Sequence, residues 1–330
     1  MYQANKDRYQ KMKYRRCGNS GLLLPEVSLG LWHNFGEIGD YKTMKEMVFK
    51  AFDLGITYFD LANNYGPEAG RAEINFGRIL KEEMMPYRDE MIISTKAGYY
   101  MWEGPYGDLG SRKYLMASID QSLKRLGLPY VDIFYHHRMD PNTPLEETML
   151  ALRDIVLQGK ALYVGLSNYN GETLEKAAEI LKDLHVPFVV NQNRYNIMDR
   201  TIEKNGLLAS SKKVGKGIVA FSPLNQGLLT DRYLEGIPLD SRMRRDPRFL
   251  NDKNLTPEML DKIIKLNEIA TRRGEKLASM ALAWVLQEES VTSVIIGASN
   301  PKQIEIDCEA IHAKPFTEEE LQEINQIIAE

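Results

Sequence analysis

The stretch ITYFDLANNYG, residues 56–66, joins a strand-like apolar run to a polar turn that contains a tyrosine. The run ends on Asp60, and Tyr65 follows five residues later. Two similar runs also end on ionisable residues: MIISTK (91–96) on Lys96 and VDIFYHH (131–137) on His137. If the three runs are neighbouring parallel strands, their carboxyl ends open onto one face, where barrel enzymes build their active sites. The sequence therefore predicts a proton-transfer site with an acid, a phenol, an ammonium and an imidazole.

Eight strand-like runs can be counted along the chain. They are VSLGL (27–31), ITYFD (56–60), MIISTK (91–96), VDIFYH (131–136), ALYVGLS (161–167), FVVNQ (188–192), GIVAFS (217–222) and SVIIG (293–297). Segments with helical spacing lie between them, including residues 41–55, 111–127, 144–160 and 171–184. Regular alternation of strands and helices indicates a parallel sheet, and continuous apolar strands indicate that both of its faces are buried. The pattern permits a doubly wound sheet, but eight units favour a closed (β/α)8 TIM barrel.

Several segments depart from this alternation. Long loops follow the third and seventh predicted strands, at residues 97–112 and 223–255, and loops of this length usually cover a site or bind a ligand. Three further helical segments are expected to pack on the barrel as extra C-terminal helices: residues 257–273, 276–288 and 317–329. We interpret residues 1–330 as a single domain in which residues 1–12 form a flexible N-terminal tail.

The composition is that of a globular protein with a sizeable core. Hydrophobic residues make up 43% of the chain and charged residues 27%, and the net charge of −4 gives no reason to expect binding to nucleic acid or an anionic membrane. No apolar stretch approaches the roughly 18 residues that a spanning helix needs, and the polar N-terminus has no signal peptide. Cys17 and Cys308 are far apart and lack zinc-site spacing, which is typical of a reducing compartment. We therefore expect a cytoplasmic protein.

Tyr65 is the expected general acid. A phenol with a pKa near 10 is poorly matched to proton transfer at pH 7, but a cation about 4 Å away, at an effective dielectric constant near 20, favours the phenolate by roughly 4 kcal/mol, or about 3 pKa units. Lys96 would supply that cation, and Asp60 would keep the buried ammonium charged. His137 would hydrogen-bond the substrate oxygen or share the proton. His136 remains an alternative to it, because adjacent strand residues point to opposite sides.

Other chemistries lack their motifs. HxH and HExxH are absent, so no metal site is expected, and the absence of GxSxG, GxGxxG and GxxxxGK[ST] argues against a serine nucleophile, a Rossmann fold and a P-loop. The later strands end instead on amides, hydroxyls and an aromatic ring: Ser167–Asn168, Gln192, Phe221–Ser222 and GASNPKQ (297–303), which opens a helix. These groups suit a flat carboxamide ring and, at the helix N-terminus, a phosphate. Together they indicate one cofactor site.

At these residues the chain resembles the aldo-keto reductase superfamily over residues 13–328. The motifs that recur in order are ITYFDLANNYG, IISTKAG, YHHRMD, VGLSNY, NQNRYN, FSPLNQGLLT and IIGASNPKQ. The resemblance assigns Asp60, Tyr65, Lys96 and His137 to the catalytic tetrad of that family. The full set of cofactor contacts that we expect in this chain is Trp32, Ser167, Asn168, Gln192, Phe221, Ser222, Leu224, Gln226, Thr230, Arg232, Arg242, Gly297, Ser299, Gln303 and Asp307.

Within the superfamily, three segments look most like the bacterial reductases of L-glyceraldehyde 3-phosphate, a branch near the potassium-channel β-subunits: GLWHNFG (30–36), NNYGPEAG (63–70) and the loop that begins KAGYYMWEG (96–104). Such proteins are commonly tetrameric or larger, so the resemblance implies a homo-oligomer. It also implies NADPH-dependent reduction of small aldehydes or ketones. Two alternatives remain: a regulatory protein similar to channel β-subunits with little turnover, and a lyase or isomerase that uses Lys96 as a Schiff base.

Two departures from the family pattern bear on cofactor choice. Family members often carry Arg after the Ser of GAS and Glu-Asn further on, where this chain has Asn300 and Ile306–Asp307. Lys302 and Arg242 would attract the 2′-phosphate of NADPH, and Asp307 would repel it. We therefore expect NADP(H) to be preferred and NAD(H) to be possible.

The expected substrate class rests on the loop after the third predicted strand. The pair Arg112–Lys113 near its end would favour anionic, phosphorylated short aldehydes. The aromatic residues of the loop would accept uncharged aldehydes: Tyr99, Tyr100 and Trp102.

Overall fold

The structure is a computed structural model that describes residues 1–66, 68–234, 236–238, 242–245 and 250–329. Its strands are β1 (Tyr14–Arg16), β2 (Leu23–Pro25), β3 (Val27–Gly30), β4 (Tyr58–Asp60), β5 (Ile92–Ala97), β6 (Val131–His136), β7 (Ala161–Ser167), β8 (Phe188–Arg194), β9 (Gly217–Phe221) and β10 (Val291–Ile296). β3 to β10 form a closed barrel of parallel strands, and the barrel closes where Val294 of β10 pairs with Val27 of β3. The predicted TIM barrel is confirmed, and each predicted strand overlaps one of its strands.

Helices alternate with the barrel strands and enclose them. Within the described residues they are α1 (Tyr41–Asp53), α2 (Arg71–Ile79), α3 (Arg112–Leu126), α4 (Leu145–Leu157), α5 (Gly171–Asp183), α6 (Thr201–Lys204), α7 (Leu207–Val214), α8 (Arg242–Arg245), α9 (Pro257–Arg273), α10 (Leu277–Leu286), α11 (Pro301–Cys308) and α12 (Glu318–Ala329). Local sequence sets their ends. Asp40 caps α1 by accepting a hydrogen bond from the Thr43 amide at 2.8 Å, and Gly127 ends α3 in the left-handed conformation that glycine tolerates best. The extra C-terminal helices expected from the sequence are α9, α10 and α12.

Residues 1–12 pack against the barrel, which differs from the flexible tail that we expected. The ring of Tyr2 stacks on Phe49 of α1 with the ring centroids 4.2 Å apart. The Arg8 guanidinium carbon lies 5.1 Å from the centre of the Phe52 ring, also in α1. Aromatic and cation–π contacts therefore hold a segment whose polar composition alone favours a solvated tail.

A hairpin of β1 and β2 closes the amino-terminal end of the barrel. Cys17 in its turn and Leu24 of β2 are fully buried and pack with side chains of the barrel interior. One of these is Tyr135, whose ring fills the space over Gly165; a Cβ at Gly165 would lie 2.3 Å from that ring. Because the interior is filled from this side, a ligand is expected at the opposite, carboxyl-terminal end.

The connection after β9 has an unusual backbone. Three non-glycine residues of this connection have positive φ angles: Ser222 at 51°, Asn225 at 47° and Gln226 at 59°. Such conformations are sparsely populated by L-residues and are concentrated at functional sites. No helix among the residues that the structure describes is long and apolar enough to cross a membrane.

Candidate active site

The structure brings Asp60, Lys96 and Tyr65 together at the carboxyl ends of β4 and β5. The Lys96 ammonium donates hydrogen bonds to Asp60 Oδ2 at 2.5 Å, to the Leu61 carbonyl at 2.7 Å and to the Tyr65 hydroxyl at 3.2 Å. The Lys96 side chain is fully buried, and these three bonds use all three protons of its ammonium. The ammonium is therefore fixed in direction as well as in position.

The Asp60 carboxylate is held by further donors from the barrel interior. Its Oδ1 atom accepts hydrogen bonds from Ser94 at 2.8 Å, from Gln192 Nε2 at 2.9 Å and from Tyr58 at 3.2 Å. A buried ion pair is favourable only when hydrogen bonds satisfy its remaining polar atoms, and this pair meets that condition. Gln192, which we expect to contact a nicotinamide, has one amide proton committed to Asp60.

Burial sets the protonation of Tyr65. The pKa of its phenol is raised well above 10, first because the group is withdrawn from water and second because the Asp60 carboxylate disfavours a phenolate. Burial also lowers the pKa of the Lys96 ammonium, and Asp60 opposes that effect. The net pKa shift of Tyr65 is thus upward, opposite to the lowering that we expected from Lys96, because desolvation and then the Asp60 carboxylate disfavour the phenolate. Tyr65 is therefore a protonated phenol at neutral pH, which is the form that a general acid needs.

His137 faces this site, whereas His136 points to the other side of the chain. The His137 ring lies edge-on to Tyr65, with the ring centroids 5.9 Å apart. His136 instead hydrogen-bonds through Nδ1 with the Tyr169 hydroxyl at 2.7 Å. Burial, with the positive charge of Lys96, holds the pKa of His137 well below 6.5. Its imidazole is therefore neutral and has one donor and one acceptor nitrogen.

Arg138 organises the loop after β5 next to the site, and our sequence analysis gave it no role. Its guanidinium donates to the Gly98 carbonyl at 2.7 Å and to Asp108 at 2.6 Å, and lies 4.4 Å from the centre of the Tyr99 ring. Tyr99 in turn packs edge-on against His137, with centroids 4.6 Å apart. The glycine at position 98 allows the loop to pass close to His137, because a Cβ at this position would lie 2.8 Å from the Cβ of His137. The signal in the sequence that could have identified Arg138 is its position directly after His137, at the end of a predicted strand.

Three predicted cofactor residues form one hydrogen-bonded group beside His137. The Asn168 side chain donates to the His137 carbonyl at 2.9 Å, and the Ser167 hydroxyl donates to the Gln192 carbonyl at 2.9 Å. Asn168 has a φ of 58°, and the barrel register pairs Ser167 with Gln192. Hydroxyl and amide groups therefore line the site on the β7 and β8 side.

The connection after β9 presents a ring and an unpaired polar atom. Phe221 is half-buried at the end of β9, and the Arg194 guanidinium carbon lies 5.9 Å from its ring centre. The Gln226 Oε1 atom is buried and has no hydrogen-bond partner within the described residues. Together with the strained backbone, an unpaired acceptor indicates a segment shaped for a ligand. The other contacts expected here are Leu224, Thr230 and Arg232, which are half-buried, and Arg242, whose side chain lies outside the described part.

The start of α11 holds the last group of predicted cofactor residues. Asn300 caps the helix by accepting a hydrogen bond from the Gln303 amide at 3.1 Å, and the Gln303 side chain accepts from the Ser299 amide at 2.7 Å. Gly297 is exposed at the end of β10. Asp307 is buried, which raises its pKa to about 8. At neutral pH it is mainly protonated, which removes most of the charge from which we expected repulsion of a 2′-phosphate; the cofactor preference itself stays a prediction.

Trp32 approaches the site, whereas the basic pair Arg112–Lys113 does not. The Trp32 ring centroid lies 6.2 Å from that of Tyr65. Arg112 forms an ion pair with Asp154 of α4 at 2.6 Å, and Lys113 is exposed. Arg112 is therefore engaged by α4 in this structure, and a substrate-phosphate site at this pair stays a prediction.

Other features of the described chain lie apart from this site. No group of three or more His, Cys, Asp or Glu side chains within the described residues could hold a metal ion. A cavity of about 560 Å³ is lined by Arg273 and Glu275, and one of about 370 Å³ by Gly217 and Thr292, and neither contains a predicted site residue. The chemistry is therefore concentrated where β4, β5 and β6 end.

Proton transfer at the carboxyl end of a parallel barrel is the chemistry that these side chains permit, which places the chain among barrel enzymes. The model of the aldo/keto reductase family matches residues 26–329, and the chain belongs to this family. Its members are oxidoreductases that use nicotinamide cofactors, so the predicted family and enzyme class are confirmed.

Similar proteins match nearly the whole chain. The L-glyceraldehyde 3-phosphate reductase of Escherichia coli O157:H7 is 55% identical over 330 residues, which cover 99% of this chain and 95% of that protein. The protein of the same name from Escherichia coli strain K12 is 54% identical with the same coverage. A putative voltage-gated potassium channel subunit beta of Schizosaccharomyces pombe is 35% identical over 326 residues, which cover 97% of this chain and 94% of that protein.

Proposed function

We propose that this protein reduces small aldehydes to alcohols with NADPH, and that Tyr65 donates the proton. The observation that carries the proposal is the hydrogen bond from Lys96 to the Tyr65 hydroxyl at 3.2 Å, on an ammonium that Asp60 holds at 2.5 Å. The raised pKa of Tyr65 keeps a proton on its oxygen at neutral pH. The relatives named as L-glyceraldehyde 3-phosphate reductases support an aldehyde substrate.

The roles of the four side chains follow from their protonation. An aldehyde oxygen between Tyr65 and the neutral His137 can accept a hydrogen bond from each of them. Both bonds strengthen as negative charge develops on that oxygen, which lowers the barrier. The proton passes from Tyr65 to the new alkoxide, and the Lys96 ammonium stabilises the phenolate that remains. Asp60 holds the ammonium in place without taking part in the transfer.

The residues at this end of the barrel fit a nicotinamide cofactor, which supplies the hydride when bound. The half-buried ring of Phe221 offers a face for stacking, and the amides of Asn168 and Gln192 suit a carboxamide. The buried Oε1 of Gln226 has no hydrogen-bond partner among the described residues, and a bound cofactor would supply a donor to it. The capped start of α11 would hold the adenosine end through Ser299 and its neighbours.

NADP(H) is the preferred cofactor in this proposal, and NAD(H) is the alternative. A 2′-phosphate carries close to two negative charges and therefore needs cations. Lys302 is exposed in the first turn of α11, one residue after the N-terminal Pro301. Because Asp307 is mainly protonated at neutral pH, it does not oppose that attraction.

Steady-state oxidation of NADPH in the presence of L-glyceraldehyde 3-phosphate, L-glyceraldehyde or methylglyoxal tests the proposal. We expect turnover of at least one aldehyde in the usual enzymatic range, about 1–10³ s⁻¹. Binding of NADPH without turnover of any aldehyde would contradict the proposal. That result would favour a cofactor-binding regulatory protein, a candidate raised by the 35% identity with the Schizosaccharomyces pombe channel subunit. A homo-oligomer of four or more subunits and a cytoplasmic location stay predictions, and gel filtration would test the first.

A further inference from the structure

We propose that Arg138 binds the phosphate group of a phosphorylated aldehyde substrate. When no substrate is bound, the Arg138 guanidinium pairs with Asp108 instead. This inference rests on the proposed aldehyde reductase activity and names the residue that selects among its substrates. Arginine suits the task because its planar guanidinium can hold a phosphate through two parallel hydrogen bonds.

The distances place Arg138 within reach of a short substrate. The Arg138 guanidinium carbon lies 4.4 Å from the centre of the Tyr99 ring, which lies 4.6 Å from the centre of the His137 ring. The guanidinium carbon is therefore at most 9.0 Å from the imidazole centre, the sum of these two distances. A three-carbon aldehyde phosphate spans about 5–6 Å from its carbonyl carbon to phosphorus, given bonds of about 1.5 Å. With its carbonyl between Tyr65 and His137, its phosphate can reach Arg138.

The present partner of Arg138 is easily exchanged. The Arg138 and Asp108 side chains are 32% and 38% exposed, and ion pairs with that exposure contribute little stability. A phosphate group carries more negative charge than the single carboxylate of Asp108. Arg138 also donates to the Gly98 carbonyl at 2.7 Å and lies over the Tyr99 ring, so its position does not depend on Asp108 alone. The guanidinium can therefore change partner without leaving its place.

Two other arginines near this end of the barrel have different surroundings. Arg71, which follows the turn that carries Tyr65, is paired with both Glu37 at 3.3 Å and Glu68 at 3.2 Å. Two carboxylates around one guanidinium oppose the approach of an anion. Arg112 is paired with Asp154 of α4. Of these three arginines, Arg138 contacts Tyr99, which packs against His137, and it has a single, half-exposed carboxylate partner.

The ratio of kcat/KM for L-glyceraldehyde 3-phosphate to kcat/KM for L-glyceraldehyde, at saturating NADPH, tests this inference. Arg138→Met should lower the ratio about ten- to a hundredfold, the loss expected for a charge-assisted hydrogen bond, and Arg138→Lys should lower it less. Asp108→Asn removes the competing carboxylate and should raise the ratio about two- to fivefold. Arg153→Met is the matched control, because Arg153 is 33% exposed and paired with Asp154 at 2.7 Å on α4. It should leave the ratio unchanged.

The outcomes separate this inference from the proposed function. If Arg138 only orders the loop after β5, both kcat/KM values fall by the same factor, the ratio equals that of Arg153→Met, and the inference is overturned. Arg138→Lys and Asp108→Asn give an independent reading if Arg138→Met does not fold. If the unmodified protein reduces methylglyoxal but neither L-glyceraldehyde 3-phosphate nor L-glyceraldehyde, the inference is overturned and the proposed function stands. If it reduces none of the three aldehydes, the proposed function itself fails.

Discussion

Replacement of Lys96 by Met should separate the stability of the active site from its chemistry. Methionine has a similar length but no charge, so the variant loses the bonds to Asp60, to the Leu61 carbonyl and to Tyr65. The Asp60 carboxylate then stays buried without its cation. Its Oδ1 atom still has three donors, from Ser94, Gln192 and Tyr58, which limits the damage.

The size of the effect can be worked out from these contacts. Removal of one partner of a buried ion pair usually costs 3–5 kcal/mol, and the remaining donors place Asp60 near the lower end, at about 3 kcal/mol. The unpaired Leu61 carbonyl adds about 1 kcal/mol. We therefore expect Lys96→Met to lower the free energy of unfolding by about 4 kcal/mol. For a chain of this size, with an unfolding entropy of about 0.7 kcal/mol/K, that corresponds to a decrease in Tm of about 6 °C.

Urea denaturation and steady-state turnover should be measured on Lys96→Met and on the double variant that also carries Asp60→Asn. The double variant removes both charges, so it should recover at least half of the lost stability, while kcat stays about 10²–10⁴-fold below that of the unmodified protein. Lys176→Met removes a 62% exposed lysine paired with Glu172 and should change stability by less than about 0.5 kcal/mol. Recovery of kcat together with stability would refute a catalytic role for Lys96. A fully stable Lys96→Met protein would refute the electrostatic reasoning.

Tyr65→Phe should lower kcat about 10²–10⁴-fold with NADPH binding retained, because it removes the proton donor; Tyr130→Phe, at the other end of β6, should keep full turnover, and near-normal turnover of Tyr65→Phe would exclude its role as the acid. The pKa of Asp307 is raised on folding from 3.8 to about 8, so its contribution to stability is complete below about pH 4 and is lost as the pH rises to 8. Asp307→Asn should remove this decline in urea denaturation from pH 4 to 9, and an unchanged pH profile would contradict the assignment. Asn300→Arg should increase the ratio of kcat/KM for NADPH to that for NADH, and no change would place the 2′-phosphate away from the start of α11.

The barrel could be predicted from the sequence because its signals are local and repeated. Each apolar run bounded by turn residues became a strand, and even the bounds of β6 and β7 agree with the predicted ranges 131–136 and 161–167. The elements that were missed have weak local signals. β1 and β2 are three-residue strands, and their stability comes from Cys17 and Leu24 packing inside the barrel. Residues 1–12 likewise depend on rings of α1, and the contact of Tyr2 with Phe49 spans 47 residues and leaves no pattern in the tail itself.

The residues of the candidate site could be predicted from the sequence, but their protonation states and directions could not. Asp60, Lys96 and His137 could be identified from their positions at the ends of predicted strands, because parallel strands bring their carboxyl ends to one face. The protonation of Tyr65 could not be predicted, because it depends on how completely burial and Asp60 offset the Lys96 charge. The choice between the two histidines needed the twist of the chain after β6, which sets the direction of His137.

The pairing of Val27 with Val294 means that the barrel cannot close until β10 has been synthesised. At 5–20 residues per second, the roughly 270 residues between them take about 13–50 s to leave the ribosome. During this interval β3 presents an unpaired edge, including Ser28, whose hydroxyl later shares a hydrogen bond of 2.6 Å with Ser293. Unpaired strand edges recruit other chains. The nascent protein is therefore most prone to aggregate before β10 emerges, and the speed of translation sets how long that exposure lasts.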